Sequence, residues 1–439
     1  MEWALAVIAL SLIAFGMVSR RLNGTPVTAP MVFVGVGLLV GMDVFALVDT
    51  SPTGEWVKLL AEATLTVVLF SDASRIDLRT LRREYTVPAR LLGIGLPLTI
   101  VFGAMLAAAL FGALSVPEAL VMAVLLAPTD AALGQAVVPE PRLPSRIRQG
   151  LNVESGLNDG ICVPLLFIVL AIAEADAGES SATHAATLVI EQIGSGVLGG
   201  VVAGAGAAAA ISFGSTRGLI EKSWLQIIPV AGAALAYGIA TPLGGSGFIA
   251  AFAAGMTFGL LGQRFDGGEV TLFSDELGEA LNGVTLLVFG AVLLSPTLEA
   301  LSWQIALYAV ASLTIVRMAP VAVAMLGTGA QRQTVAFLGW FGPRGLASIV
   351  FAAIVVQEAD LPHTETILLT TYATVALSVL AHGVTAAPLT NRYASWFSSH
   401  PPTAMPAMET VPAGEHRWRQ RPAVPGDSRS PRGQATPDS

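Results

Sequence analysis

The chain has 439 residues, of which 54% are apolar and only 12% charged, with a formal net charge of −8 and one cysteine, Cys162. The apolar residues come in runs with the charges bunched between them, which excludes a string of soluble domains and points to a polytopic helical membrane protein. A single thiol inside an apolar run excludes an intramolecular disulfide and a thiolate metal cluster, and leaves Cys162 as a small packed residue.

The first run, Trp3 to Val18, has Glu2 and no basic residue ahead of it, and no small-x-small cleavage site before Arg20-Arg21. It therefore reads as a span and not as a secretion signal. Further runs follow at Val27 to Val48, Val57 to Phe70, Val87 to Phe111, Ala119 to Val138, Leu151 to Ala173, Ala185 to Phe213 and Leu225 to Leu243. The remainder lie at Gly247 to Leu261, Val270 to Leu294, Trp303 to Leu326, Val335 to Val356 and Thr366 to Leu389. At bilayer length each is a candidate transmembrane helix, about thirteen in all.

Basic residues fall in alternate connections: Arg20 and Arg21; Arg75, Arg79, Arg82 and Arg83; Arg142, Arg146 and Arg148; Arg217 and Lys222; Arg264; Arg332. The intervening connections are almost purely acidic. The positive-inside rule then puts the amino terminus outside and the carboxyl terminus in the cytoplasm of a cell (plasma or inner) membrane. Two arginines, Arg317 and Arg344, fall within spans eleven and twelve, and no lysine lies deep inside a span. From about Trp396 the composition turns to Pro, Ser, Arg and Gly. The expected organisation is a membrane domain over 1–395 and a disordered cytoplasmic tail over 396–439, with His416 to Arg421 as a basic, Trp-centred stretch suited to an anionic surface.

Span five contains Leu126-Ala-Pro-Thr-Asp-Ala131, and span twelve contains Gly339-Trp-Phe-Gly-Pro-Arg-Gly-Leu346. Proline in mid-membrane removes a backbone donor and obstructs the preceding turn, so carbonyls are freed from the ladder. With span seven as a linker, spans one to six and eight to thirteen form two halves, each broken in its fifth span. Matched interruptions of this kind point to the site of a secondary transporter made of two inverted repeats of six, with discontinuous crossing helices.

Span six opens with Leu151-Asn-Val-Glu-Ser-Gly-Leu-Asn-Asp-Gly160. A carboxylate inside a bilayer costs about 2.5 to 3.5 kcal/mol on insertion scales, so it faces a partner, an ion path or a cavity. Glu154 and Asn158 are one turn apart on a helix and share a face, whereas Asp159 turns about 100° away. Arg317 is a plausible partner for Glu154, which leaves Asp159 to alternate between a proton and a metal ion. Asp130 follows Thr129 at the first break, where half-helix ends can coordinate a cation. Arg344 reads as a charge that offsets carbonyl ends at the second break, with a direct transport role as the alternative. Asp72 reads as a local partner of Arg75. Asp275, Glu276 and Glu279 either favour the start of span ten or line an acidic funnel, and Glu62 has no evident partner.

These residues resemble the monovalent cation:proton antiporter-1 family, the bacterial, archaeal and animal sodium/proton exchangers. Glu154-Ser-Gly-Leu-Asn-Asp-Gly160 looks like the family's Glu-Ser-x-x-Asn-Asp-Gly signature. Pro128-Thr129-Asp130, Arg317 and Gly342-Pro-Arg-Gly345 are similar to its Thr-Asp motif, its core arginine and its Gly-x-Arg-Gly motif, and Phe70 to Arg75 to a segment of bacterial members. Pro343 stands where many members have another residue. The resemblance, over about residues 1–395, implies the sodium/proton antiporter fold and a homodimer in which a mobile core bundle slides against a fixed one. It implies that Asp159 binds proton and cation in turn, with Thr129, Ser155 and Asp130 near the ion and Asp72 as a possible accessory. Glu154, Asn158 and Arg317 would form a structural network behind them, with Arg344 at the second break.

Three rival functions fit less well. An intramembrane aspartyl protease using Asp130 and Asp159 would resemble Gly-x-Gly-Asp, which Gly156-Leu-Asn-Asp159 lacks. A respiratory-type pump subunit relies on intramembrane lysines. An organic-anion transporter of the same architecture is expected to place uncharged groups where Asp159 stands. The expectation is therefore an electroneutral exchange of one Na⁺ (alternatively K⁺ or Li⁺) for one H⁺, with the lipid bilayer as surroundings, no cofactor and no nucleic-acid partner.

Overall fold

The computed structural model describes residues 2–22, 25–41, 55–76, 85–130, 140, 142–178, 182–262, 270–400 and 405–410. Among them there is no strand. In chain order the helices are α1 (Glu2–Leu22), α2 (Ala29–Val40), α3 (Glu55–Ser74), α4 (Thr86–Leu110), α5 (Val116–Leu125), α6 (Ser145–Ala177) and α7 (Ala182–Thr216). There follow α8 (Lys222–Ala240), α9 (Gly247–Leu261), α10 (Leu272–Glu299), α11 (Trp303–Ala324), α12 (Arg332–Trp340), α13 (Leu346–Glu358), α14 (Thr364–Ser398) and the single turn α15 (Ala407–Thr410).

Every stretch expected to span carries helix. Eight helices, α1, α4, α6, α7, α8, α10, α11 and α14, are long and apolar enough to cross a membrane, and α2, α5, α9 and α13 are shorter apolar helices. Two extents differ from expectation. Helix α6 begins at Ser145, so the Glu154 signature lies about three turns inside a continuous helix and not at its start. Helix α14 runs on to Ser398.

The helices sort into two bundles. In one, α9 packs between α7 and α3, α8 lies on α7, and α10 packs on α2 and α3. Small residues make these approaches close: a Cβ on Gly200 or Gly204 of α7 would strike the carbonyls of Ala250 and Ala254 on α9, and one on Gly255 or Gly259 would strike those of Phe70 and Ser74 on α3. Four-residue spacing of glycine puts them on one helix face, the arrangement by which helices approach in lipid, where apolar surface alone gives no drive to associate. The other bundle joins α4, α5, α6, α11, α12, α13 and α14. The two bundles meet where α3 touches α6 and α13, α9 touches α6, and α2 touches α14.

Part of the stretch expected as tail is in place. Met405 and Met408 are buried, and the Glu409 carboxylate accepts from Gln331 N (2.8 Å) and Thr334 Oγ1 (2.8 Å) at the first turn of α12. A carboxylate there satisfies a donor that the helix leaves open and complements its positive end. The basic stretch 416–421, the loop bases Arg79, Arg82, Arg83 and Arg264, and 131–138 of span five lie outside the described residues.

Candidate functional site

Helix α5 is started firmly and stopped early. Ser115 and Glu118 form a reciprocal cap at its first turn, with Glu118 also accepting from His363 N (3.0 Å) ahead of α14. It ends at Leu125, and Leu126 to Asp130 leave the helix because Pro128 brings no N–H and forbids the preceding turn. Four of the carbonyls so released are taken by side chains. Leu125 O accepts from Ser348 Oγ (2.7 Å), Ala127 O and Pro128 O from Arg344 Nη1 (2.7 and 2.9 Å), and Thr129 O from Ser155 Oγ (2.5 Å).

The second break, Phe341 to Gly345 between α12 and α13, lies across the first. Asp130 N donates to Pro343 O (2.8 Å), and Asp130 Oδ2 accepts from Leu346 N (3.0 Å) at the amino end of α13. The order Gly-Pro-Arg-Gly then has a steric reading. A Cβ on Gly345 would occupy the place of the Asp130 carboxylate, and one on Gly342 would occupy that of the Arg317 guanidinium. Pro343 fits, since its carbonyl is what the break uses.

Helix α6 supplies the rest. Arg317 of α11 forks onto Glu154 through Nη1–Oε1 (2.6 Å) and Nη2–Oε2 (2.9 Å), and both residues are 2% exposed. Two parallel charge-assisted bonds make this the strongest polar contact at the site. Asn158 Nδ2 donates to Thr129 Oγ1 (2.6 Å), so Ser155 and Asn158 together hold the carbonyl and the hydroxyl of Thr129. Asp159 is held by neither. It is 7% exposed, and its Oδ1 is buried without a hydrogen-bond partner among the described residues, as is Asn158 Oδ1. Asp130 and Asp72 act on Asp159 as like charges.

Asp72 reaches this site because α3 lies against α6 at Gly156, where an added Cβ would sit 3.7 Å from that of Asp72, an ordinary contact. Arg75 Nη1 holds Asp72 at 3.3 Å, as the three-residue spacing implies. The same guanidinium also holds the buried Asp275 of α10, through Nε at 3.1 Å and through Nη2, with Ser71 Oγ donating to that carboxylate too. Asp275 therefore ties α3 to α10. Nothing in the sequence links residues 200 positions apart, and that pairing was missed. Glu62 pairs with Lys58 (3.7 Å), one turn away, a spacing that the sequence does display. Ser348 and Ser378, which bond to the breaks, were also missed, because serine in an apolar helix carries no sign of its partner.

The site thus has two acids held by donors, Asp130 and Asp72, and within their electrostatic reach a buried carboxylate oxygen, on Asp159, with none. Like charges that act on one another in this way disfavour three ionised carboxylates unless a proton or a cation is present.

Comparison with known proteins gives a consistent picture. The profile described as sodium/hydrogen exchanger, transmembrane, matches residues 6–392. The Na(+)/H(+) antiporter ApNhaP of Aphanothece halophytica is 28% identical over 398 residues, 86% of this chain and 71% of that protein. The K(+)/H(+) antiporter NhaP2 of Shewanella oneidensis is 26% identical over 389 residues, and the match spans 85% of this chain but 63% of the relative's length. The sodium proton antiporter MjNhaP1 of Methanocaldococcus jannaschii has the same fold, with a TM-score of 0.69 at 18% identity over 87% of this chain and 98% of that one.

Proposed function

The chain belongs to the sodium/hydrogen exchanger family, and we infer that it is a secondary active transporter that exchanges a monovalent cation for a proton across a membrane. One observation carries the reading at the level of residues: the buried, unpartnered Oδ1 of Asp159 beside two acids that already have donors.

In one half-cycle a proton occupies Asp159; in the other a cation does, helped by the hydroxyl and carbonyl oxygens that Ser155 and Thr129 bring to the same place. Neither Asp130 nor Asp72 needs to titrate, since each keeps its charge against a fixed donor. One proton is then traded for one cation, and the two loaded states carry equal charge. Glu154, Arg317 and Asn158 keep the first break and α6 in register. The bundle containing both breaks is the moving body, and the glycine-packed bundle is the fixed one, through which two copies associate. The exposed apolar face of α1, with Leu5, Leu10, Ile13 and Met17, suits either lipid or a second copy. The alternation of basic loops supports an external amino terminus and a cytoplasmic carboxyl terminus.

Na⁺ is the first reading for the cation, and the K⁺/H⁺ relatives make K⁺ the second. The test is proton flux driven by Na⁺ or by K⁺ gradients in liposomes holding the pure protein, with the membrane potential first clamped and then imposed. Flux that answers one cation and ignores the potential is expected. Flux that generates a potential would refute one-for-one exchange, and no flux with either cation would refute the reading.

A further inference from the structure

Helix α14 carries two polar residues one turn apart, Ser378 and His382, that the exchange chemistry does not use. His382 is 1% exposed. Its Nε2 lies 2.9 Å from Trp340 O, the carbonyl at which α12 ends and which also accepts from Gly342 N (2.8 Å). A carbonyl only accepts, so Nε2 carries hydrogen and donates. On the other side of the ring, Nδ1 is 3.0 Å from Ser378 O and 3.2 Å from Ser378 Oγ; in a neutral ring whose hydrogen sits on Nε2, Nδ1 only accepts, and of these two oxygens only the hydroxyl has a hydrogen to give. That hydroxyl already accepts from Arg344 N (2.7 Å), so its own hydrogen is free to go to Nδ1 of a neutral ring. A continuous chain of bonds results, from Arg344 N–H through Ser378 and His382 to Trp340 O. It spans the second break from one side to the other.

An ordinary packed histidine would need one partner for each nitrogen and nothing more. Here both ends of the chain are backbone groups of the break, and one belongs to Arg344, whose Nη1 holds the carbonyls of Ala127 and Pro128 in the first break. The Trp340 ring packs over the imidazole (centroids 5.1 Å apart), and its Nε1 donates to Thr385 Oγ1 (3.0 Å), one further turn along α14. Helix α14 thus grips the break at three successive turns.

We propose that His382, together with Ser378, is a positioning residue for cation exchange: it fixes the second break so that Arg344 keeps the carbonyls next to Thr129 in place. The proposal rests on the exchange reading above. Among the described residues, Arg344 and Ser348 are the side chains of the second half bonded to the first break's carbonyls, and Ser378 and His382 hold the backbone that carries Arg344, so losing this grip disturbs the cation site before it disturbs the fold.

The experiment compares His382→Leu, His382→Gln and Ser378→Ala with the full chain in liposomes. It reads the apparent affinity for the transported cation, the maximal rate and the pH profile, and checks detergent melting separately. His382→Leu is expected to weaken apparent affinity by about tenfold, the worth of one buried hydrogen bond at the upper end of its range, with a smaller change in maximal rate. His382→Gln, which presents an amide donor toward Trp340 O, is expected to restore affinity without altering the pH profile. Ser378→Ala should weaken affinity as His382→Leu does, and it decides the matter if the leucine variant misfolds. Unchanged affinity in both Leu and Ala variants overturns the proposal, and so does a glutamine variant as impaired or as unstable as the leucine one, which would make the imidazole itself the essential group. A wild type that fails to exchange would instead fall on the function proposed above.

Discussion

Replacing Arg317 by alanine removes one member of a buried fork and leaves Glu154, 2% exposed, with no counter-charge among its hydrogen-bond partners. Three routes give the size of the damage. Breaking a buried ion pair from one side typically costs about 3 to 5 kcal/mol. Leaving an ionised carboxylate in a membrane interior costs about 2.5 to 3.5 kcal/mol on insertion scales. The escape route, neutralising an ordinary glutamic acid at pH 7, costs about 3.7 kcal/mol and falls by about 1.4 kcal/mol for each unit of acidification. All three meet near 3.5 kcal/mol, well above the roughly 0.6 kcal/mol of a neutral hydrogen bond between membrane helices. A loss of that size shifts a folding equilibrium by more than a hundredfold, so the variant should show low folded yield and early melting in detergent at pH 7. Two controls separate this cause from simple loss of volume. Acidification to pH 5.5 should recover part of the deficit, since protonation then costs about 1.6 kcal/mol, and adding Glu154→Gln to Arg317→Met should recover most of it, because a buried pair replaced as a unit is often neutral. Wild-type melting of Arg317→Ala, or a deficit that ignores both pH and the second substitution, would refute the reasoning.

Asp159→Asn keeps nearly the same volume and removes the group proposed to take proton and cation in turn, so exchange should vanish while the protein still elutes as a folded species; near-wild-type coupled flux would exclude Asp159 as the site. Gly345→Ala should abolish or cripple exchange, because its Cβ claims the space of the Asp130 carboxylate, whereas Gly156→Ala, at ordinary contact with Asp72, should be mild. Equal transport rates in the two would sink that steric account. Cutting the chain after Thr410 should leave transport and melting unchanged, but cutting after Ser399 strips Glu409 from Gln331 and Thr334 and should lower stability by about 1 to 3 kcal/mol, read as a fall in melting temperature; identical melting of the two truncations would count against that contact.

The fold class and both breaks were legible because bilayer physics leaves few alternatives: a run of apolar residues must close its own hydrogen bonds, and a proline within it must open some. The Glu154–Arg317 pair was legible for a similar reason. A buried acid in hydrocarbon demands a base, and Arg317 and Arg344 were the two arginines deep within spans, Arg90 standing near the start of span four. Helical spacing also separated Asp159 from the Glu154 face. What could not be read was tertiary. Arg75 had a good local partner in Asp72, and no property of the sequence announced that it also reaches Asp275. The tail looked incapable of a core by composition, yet Met405 and Met408 are buried, Met408 in a cluster with Phe337 and Leu338 of α12, and Glu409 bonds at the start of that helix. Ser348, Ser378 and His382 are ordinary residues whose importance lies in what stands opposite them.

The crossing of the breaks also bears on how many charges move. The first break exposes carbonyls, the negative end of a half-helix, and the second exposes N–H groups, the positive end of another. Each is met by a charge that belongs to the opposite break: Arg344 bonds to Ala127 O and Pro128 O, and Asp130 bonds to Leu346 N. The exchange neutralises both helix ends and commits both side chains, so Asp130 serves as a fixed anion with a structural task. Its protonation would sacrifice a charge-assisted bond at the amino end of α13. Asp159 has no such bond to lose, since its Oδ1 meets no donor. Under the proposed exchange, a proton arriving at the site would go to Asp159 first, and the cation that displaces it would bring the same charge. On this geometry a second transported proton would require the crossing itself to come apart.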